Sequence, residues 1–224
     1  MIGPPMSILS YLPSHGKLVR ALWLLALAGL ALYAAFTLHL CLLAIAYPYQ
    51  LDYGEGLVLH QARLLAAGQS IYKHLDSYPY IFANYPPLFQ ALVAPLLSIS
   101  GTSFAPGRLL ALGATLGLAL VLYGLVRQAG GRRLAAAVAA LFFLGSPYVY
   151  HWAPLLRIDL PALFFTALGV LVLGRSAAAG HSFHREETTR AQGRSAASTS
   201  QRLACVAAVL FVLALFTKQS YLAG

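Results

Sequence analysis

The amino-acid sequence predicts an all-α, polytopic membrane protein, a bundle of about five spanning helices with juxtamembrane helices in its first extracytoplasmic loop. Three observations carry that prediction. The 224 residues are 59% hydrophobic and 9% charged, far below the roughly one-quarter charged residues of soluble domains. Mean hydropathy is +0.72. The apolar residues fall into runs long enough to cross a bilayer as helices, the form that satisfies every backbone group without water.

The first run, Ala21 to Ala46, carries no Asp, Glu, Lys or Arg and exceeds the ~20 residues that a crossing needs. Lys17 and Arg20 precede it, but the run is too long for a signal-peptide core and has no small-residue cleavage site, so it reads as a retained anchor behind a cytoplasmic segment, residues 1–20. Leu88 to Ile99 is short and interrupted by Pro95, either a juxtamembrane helix or a poor span. Leu109 to Val126, Leu134 to Tyr150, Leu160 to Gly174 and Leu203 to Phe216 supply the remaining spans.

Charge selects the topology. If Leu88 to Ile99 does not cross, Lys17, Arg20, Arg127, Arg132, Arg133, Arg175, Arg185, Arg190, Arg194 and Arg202 fall inside, ten of the fifteen basic residues, as the positive-inside rule requires. The acids sort the other way: Asp52, Glu55, Asp76 and Asp159 lie outside, and Glu186 and Glu187 inside. The net charge of +9 reflects few acids rather than a basic run, which argues against a nucleic-acid partner. Residues 21–224 thus form one transmembrane domain. The inner segment 175–202, rich in Ser, Ala, Thr and Arg, has the composition of a flexible basic linker. Its His181 and His184 have no Cys or acid to complete a metal set, and Cys41 and Cys205 read as small buried hydrophobes.

Two outer segments carry the candidate chemistry. The loop 47–87 opens with Asp52 and Glu55 at the start of a surface helix, where amide groups favour anions or an incoming phosphate. An ordinary helix cap explains the same residues. The second segment places Arg157 and Asp159 at the mouth of the Leu160 helix, where Asp159 starts the helix and Arg157 neutralises it or snorkels. Carboxylates from both loops at the membrane rim, costly to keep near lipid, point to a joint site. The tyrosines around them, among them Tyr85, suit sugar stacking and an interfacial belt equally. His39 and His60 read as hydrogen-bonded packing residues.

The pieces Asp52-Tyr53-Gly54-Glu55-Gly56, Ala62-Arg63-Leu64-Leu65 with Gly68 and Tyr72, Tyr85-Pro86-Pro87-Leu88 and Arg157-Ile158-Asp159, in that order, resemble the GT-C class of membrane glycosyltransferases. Within that class the likeness is to the dolichyl-phosphate-mannose protein mannosyltransferases, the aminoarabinose transferases and their bacterial relatives. The resemblance implies sugar transfer from a polyprenyl-phosphate donor to an extracytoplasmic glycan, lipid or protein acceptor, in a multi-pass protein of the bacterial inner membrane, with membrane lipid as its surroundings. It implies Asp52 as the base on the acceptor, with Glu55 and Asp159 as the other catalytic carboxylates. The family more commonly has adjacent Asp-Glu, so either first-loop carboxylate fits the base. The three acids are also the candidate ligands of a divalent cation. Arg157, Arg63, Lys73, Tyr85 and Lys218 are the candidates for holding donor phosphate or sugar, Arg157 first. Relatives are longer, so the chain reads as the N-terminal part of such an enzyme. A transporter or flippase would want acids at the bilayer midplane, which the helix centres lack. A noncatalytic membrane subunit would tolerate loss of all three acids.

Overall fold

The computed structural model describes residues 16–72, 76, 80–185 and 190–222, with the backbone alone at 179–185, 190–197 and 221–222. The described residues are helical and contain no strand. In chain order the helices are α1 (Lys17–Ala46), α2 (Tyr53–Ala66), α3 (Leu88–Ser100), α4 (Ala105–Gln128), α5 (Arg133–Leu144), α6 (Pro147–Trp152), α7 (Asp159–Arg185) and α8 (Arg190–Thr217), followed by a 3-10 turn, Gln219–Leu222. Within α1, α4, α7 and α8 lie four stretches long and apolar enough to span a bilayer, and the chain is an integral membrane protein.

The fifth expected span is not one helix. The Leu134 to Tyr150 run breaks into α5, about 18 Å long, and the six-residue α6. The cause is Gly145-Ser146-Pro147: Gly145 ends α5, Ser146 Oγ accepts the Val149 N–H at 3.3 Å as the cap of α6, and Pro147 starts the new helix. A Cβ at Gly145 would press on Leu30 of α1, so the break is also where α1 packs closely. Together α5 and α6 still return the chain from one end of the bundle to the other.

The segment between α1 and α4 begins and ends at one end of the bundle, because Arg108 in the first turn of α4 donates to the Ala44 and Tyr47 carbonyls where α1 finishes. α3 therefore makes no net crossing, as the charge pattern predicts. Its Phe89, Val93 and Leu97 pack on Val58, Leu59 and Ala62 of α2, with Leu156 and Ile158 closing the cluster.

Small residues let the spanning helices approach, as expected where lipid removes the hydrophobic drive for association. Gly117 and Gly124 of α4 accommodate Phe164 and Leu171 of α7, and Gly169 of α7 faces Phe211 of α8. Ser176 and Ser200 exchange hydrogen bonds with each other's carbonyls at 2.8 and 3.0 Å, joining α7 to α8. The expected linker 175–202 is instead helical over 175–185 and 190–202, as continuations of α7 and α8. Its alanines and lack of proline make extending a helix already nucleated in the membrane favourable.

Candidate active site

Four chain segments meet at the end of the bundle where α1 finishes. Asp52 is the N-cap of α2, with extended backbone (φ −139°, ψ 145°), and its Oδ2 accepts the Gly54 N–H at 3.0 Å. The same oxygen accepts from Arg157 Nη1 at 2.7 Å, so the cap and the ion pair coexist. Gly54 permits this: a Cβ there would collide with the Arg157 guanidinium. Oδ1 has no hydrogen bond among the described residues, and the side chain keeps 18% of its surface accessible.

Arg157 lies between α6 and α7, in a segment pinned by the buried side chains of Leu155, Leu156 and Ile158. Its guanidinium sits over the Trp152 ring at 4.9 Å and the Tyr53 ring at 5.9 Å, cation–π contacts that help hold it in place. Nε lies 3.6 Å from Asp159 Oδ2. Asp159, in the first turn of α7, accepts from Lys218 Nζ at 2.7 Å through Oδ1, while its buried Oδ2 has no hydrogen-bond partner among the described residues. Lys218 follows directly on α8 and lies over the Tyr85 ring at 5.7 Å, and Gln219 donates to the Asn84 carbonyl at 3.2 Å. Asp52, Arg157, Asp159, Lys218 and Tyr85, five of the residues singled out in the sequence, thus form one continuous cluster.

Glu55 is elsewhere. It is fully buried, and its two oxygens accept Arg108 Nε at 2.9 Å, Arg108 Nη2 at 2.8 Å, the Leu156 N–H at 2.7 Å and the Leu51 N–H at 2.6 Å. Burial alone would raise its pKa; the Arg108 bond, the two backbone N–H groups and the arginine's charge outweigh burial and hold it below the ordinary carboxylate value. Arg108, equally buried, spends its remaining donors on the carbonyls of Ala44, Tyr47 and Tyr49. A carboxylate saturated by four donors has no lone pair left for an acceptor hydroxyl or a cation. The expected Asp52, Glu55 and Asp159 cage is accordingly not assembled, and among the described residues no three His, Cys, Asp or Glu side chains stand close enough to hold a metal. Glu55 instead ties α1, α2, α4 and the α6–α7 connection together beneath Asp52.

Arg63 is exposed in the last turn of α2, about three turns from Asp52, and does not join the cluster. Lys73 lies outside the described residues. Arg108 was not singled out from sequence, although an arginine opening an apolar helix needs a buried anion, and Glu55 is among the few the chain offers.

Beside Asp52 is a cavity of about 410 Å³, walled by Leu40, Leu43 and Ala44 of α1 and by Tyr150 and His151 of α6. Asp52 supplies the one carboxylate among the residues lining it, and the α1 wall is apolar. The family model for dolichyl-phosphate-mannose-protein mannosyltransferases matches residues 58–222. The chain belongs to that family. Mannosyltransferases of this family use a polyprenyl-phosphate sugar donor and an acceptor, and membership makes this a membrane glycosyltransferase in the general sense. The match includes Arg108, Arg157, Asp159 and Lys218, whereas Asp52 and Glu55 precede it and are tied to it by their contacts with Arg157 and Arg108. No curated protein and no solved structure matches the chain.

Proposed function

We propose that the chain forms the donor and base half of a site that transfers a sugar from a polyprenyl phosphate to an acceptor hydroxyl on the extracytoplasmic side, with Asp52 as the general base. The observation that carries this reading is the Asp52–Arg157 ion pair, with Asp52 lining a cavity that has an apolar α1 wall. In the reaction the acceptor oxygen attacks the anomeric carbon, the bond from that carbon to the phosphate oxygen breaks, and the lipid phosphate leaves with the electron pair. The acceptor proton passes to Asp52 Oδ1, the oxygen that neither the cap nor Arg157 engages. Arg157 Nη2 makes no hydrogen bond among the described residues, which leaves that nitrogen able to donate to a donor phosphate. A guanidinium held against Trp152 loses little entropy in binding a phosphate and stabilises it as charge develops. Asp159 and Lys218 hold Arg157 from behind.

The cluster pairs two carboxylates with two cations and is charge-balanced without a divalent ion. We expect transfer to proceed in the presence of chelator. The cavity's apolar α1 wall suits the first isoprene units of the donor, with the sugar phosphate at the rim.

Following labelled sugar from polyprenyl phosphate in membranes carrying the protein tests the reading. Removing a general base lowers turnover by about a hundredfold to ten-thousandfold. Asp52→Asn should fall in that range, with donor binding retained. Asp52→Asn turnover within a few-fold of the parent would end the assignment.

A further inference from the structure

The end of the bundle opposite Asp52 carries a second and larger cavity, of about 790 Å³, that sugar transfer does not use. We propose that it binds an anionic glycerophospholipid of the leaflet at that end, one acyl chain lying along α4 and α5 and the phosphate at Arg132. The walls are apolar, formed by Leu122, Leu125 and Val126 of α4, Val138 and Phe142 of α5, and Trp23 of α1. Arg132 is the one charged residue among those lining it. α5 is about 18 Å long, close to the ~15 Å that one leaflet contributes to the hydrocarbon core, so a chain along it reaches from the headgroup level to the midplane.

Charge selects the headgroup. Arg132 is the N-cap residue of α5, no side chain caps that helix, and its first turn carries no acid, so amide donors and a guanidinium stand together at the groove's polar end. Arg127 and Arg133 flank it, and Lys17 and Arg20 begin α1 at the same end. Of the described acids, Asp52, Glu55 and Asp159 are at the other end and Asp76 is in the segment that starts and finishes there; the two acids that the sequence assigns to this side, Glu186 and Glu187, are outnumbered by its basic residues. A zwitterionic headgroup would bring its own cation against this concentration of charge. No residue lines both this groove and the cavity beside Asp52, and between them Leu30 packs against Gly145 and Phe36 stacks on Tyr150.

The chain's two tryptophans allow a direct test. Trp23 lines the groove and Trp152 lies under Arg157, so Trp152→Phe leaves Trp23 as the reporter. The Trp152→Phe protein is reconstituted into phosphatidylcholine vesicles containing a minority of brominated phosphatidylglycerol or, in parallel, brominated phosphatidylcholine. Phosphatidylglycerol should quench Trp23 at lower mole fraction, and Arg132→Gln should reduce that preference about fivefold, the enrichment one basic residue gives at a membrane surface. Ala139→Phe, which fills the groove without changing charge, should also remove it, while circular dichroism confirms that both variants keep the helical content of the parent. Equal quenching by the two lipids, or a preference that survives Ala139→Phe, overturns the proposal. So does absence of quenching by either lipid, which would mean that protein covers the groove. Displacement of brominated phosphatidylglycerol by polyprenyl phosphate, at mole fractions where phosphatidylcholine has no effect, would overturn it in favour of the donor lipid.

Discussion

Asp52 and Glu55 stand one helical turn apart and do opposite work. Asp52 leaves one oxygen open beside a cavity, whereas Glu55 accepts four hydrogen bonds out of reach of solvent. Glu55→Gln replaces an acceptor oxygen with an NH2 group facing Arg108 and leaves a buried cation without its anion, a change that costs about 3–5 kcal/mol. Thermal unfolding in detergent should show a marked loss of stability, together with a fall in activity. Asp52→Asn, by contrast, should lose turnover with little change in melting temperature. The pH dependence separates them further. Because the folded-state pKa of Glu55 lies below its unfolded value near ~4.3, its contribution is present above that value and is lost as pH falls through the folded pKa. Melting temperature in the parent should hold between neutrality and mildly acidic pH and then decline, and Glu55→Gln should lack that component of the acid limb. An unchanged acid limb would show that Glu55 is not anchored by Arg108. The sequence displays both acids as helix-start residues. Which of them faces the chemistry depends on an arginine fifty-three positions away, a pairing that local pattern does not encode.

At the scale of elements, the motif Asp-Tyr-Gly-Glu is a turn shaped by its neighbour in space. Gly54 lies against the Arg157 guanidinium, so Gly54→Ala must push the arginine away or tilt the start of α2. Transfer activity should fall at least tenfold, by analogy with other small displacements of catalytic groups, while global stability changes little. The observation that counts against this is a Gly54→Ala enzyme with parental kcat. Most helices were legible because runs of apolar residues are dictated by the bilayer. The broken α5–α6 pair was not, since averaging hydropathy over Leu134 to Tyr150 conceals Gly145-Ser146-Pro147, where a tight contact with Leu30 and a serine cap favour ending one helix and starting another. The Arg175 to Arg202 stretch was misread for the converse reason. Its serines and arginines resemble a linker, yet helices emerging from the membrane extend through Ala-rich sequence without a new nucleation cost.

At the scale of the whole molecule, the ends of α1 and α8 and the starts of α4 and α7 converge on one side, and the basic turn between α4 and α5 lies on the other. The described acids gather with the first set and most of the arginines with the second, so the polarity of the bundle and the direction of its charge asymmetry are one property. The proposed function needs the Asp52–Arg157 cluster to face outward, the orientation that the positive-inside rule predicts from this charge asymmetry. Single introduced cysteines test this, because Cys41 is buried in α1 and Cys205 lies in a spanning stretch of α8, both poor targets for a water-soluble reagent. Asp76→Cys should react with an impermeant maleimide in intact cells. Arg132→Cys should react only after permeabilisation. The reverse labelling pattern would put the carboxylates in the cytoplasm, and transfer to an extracytoplasmic acceptor could not then occur at Asp52. Labelling of both positions from outside would mean that α4 does not carry the chain across, so that the return through α5 and α6 would leave Arg157 on the far side from Asp52 and dissolve the ion pair on which the site depends.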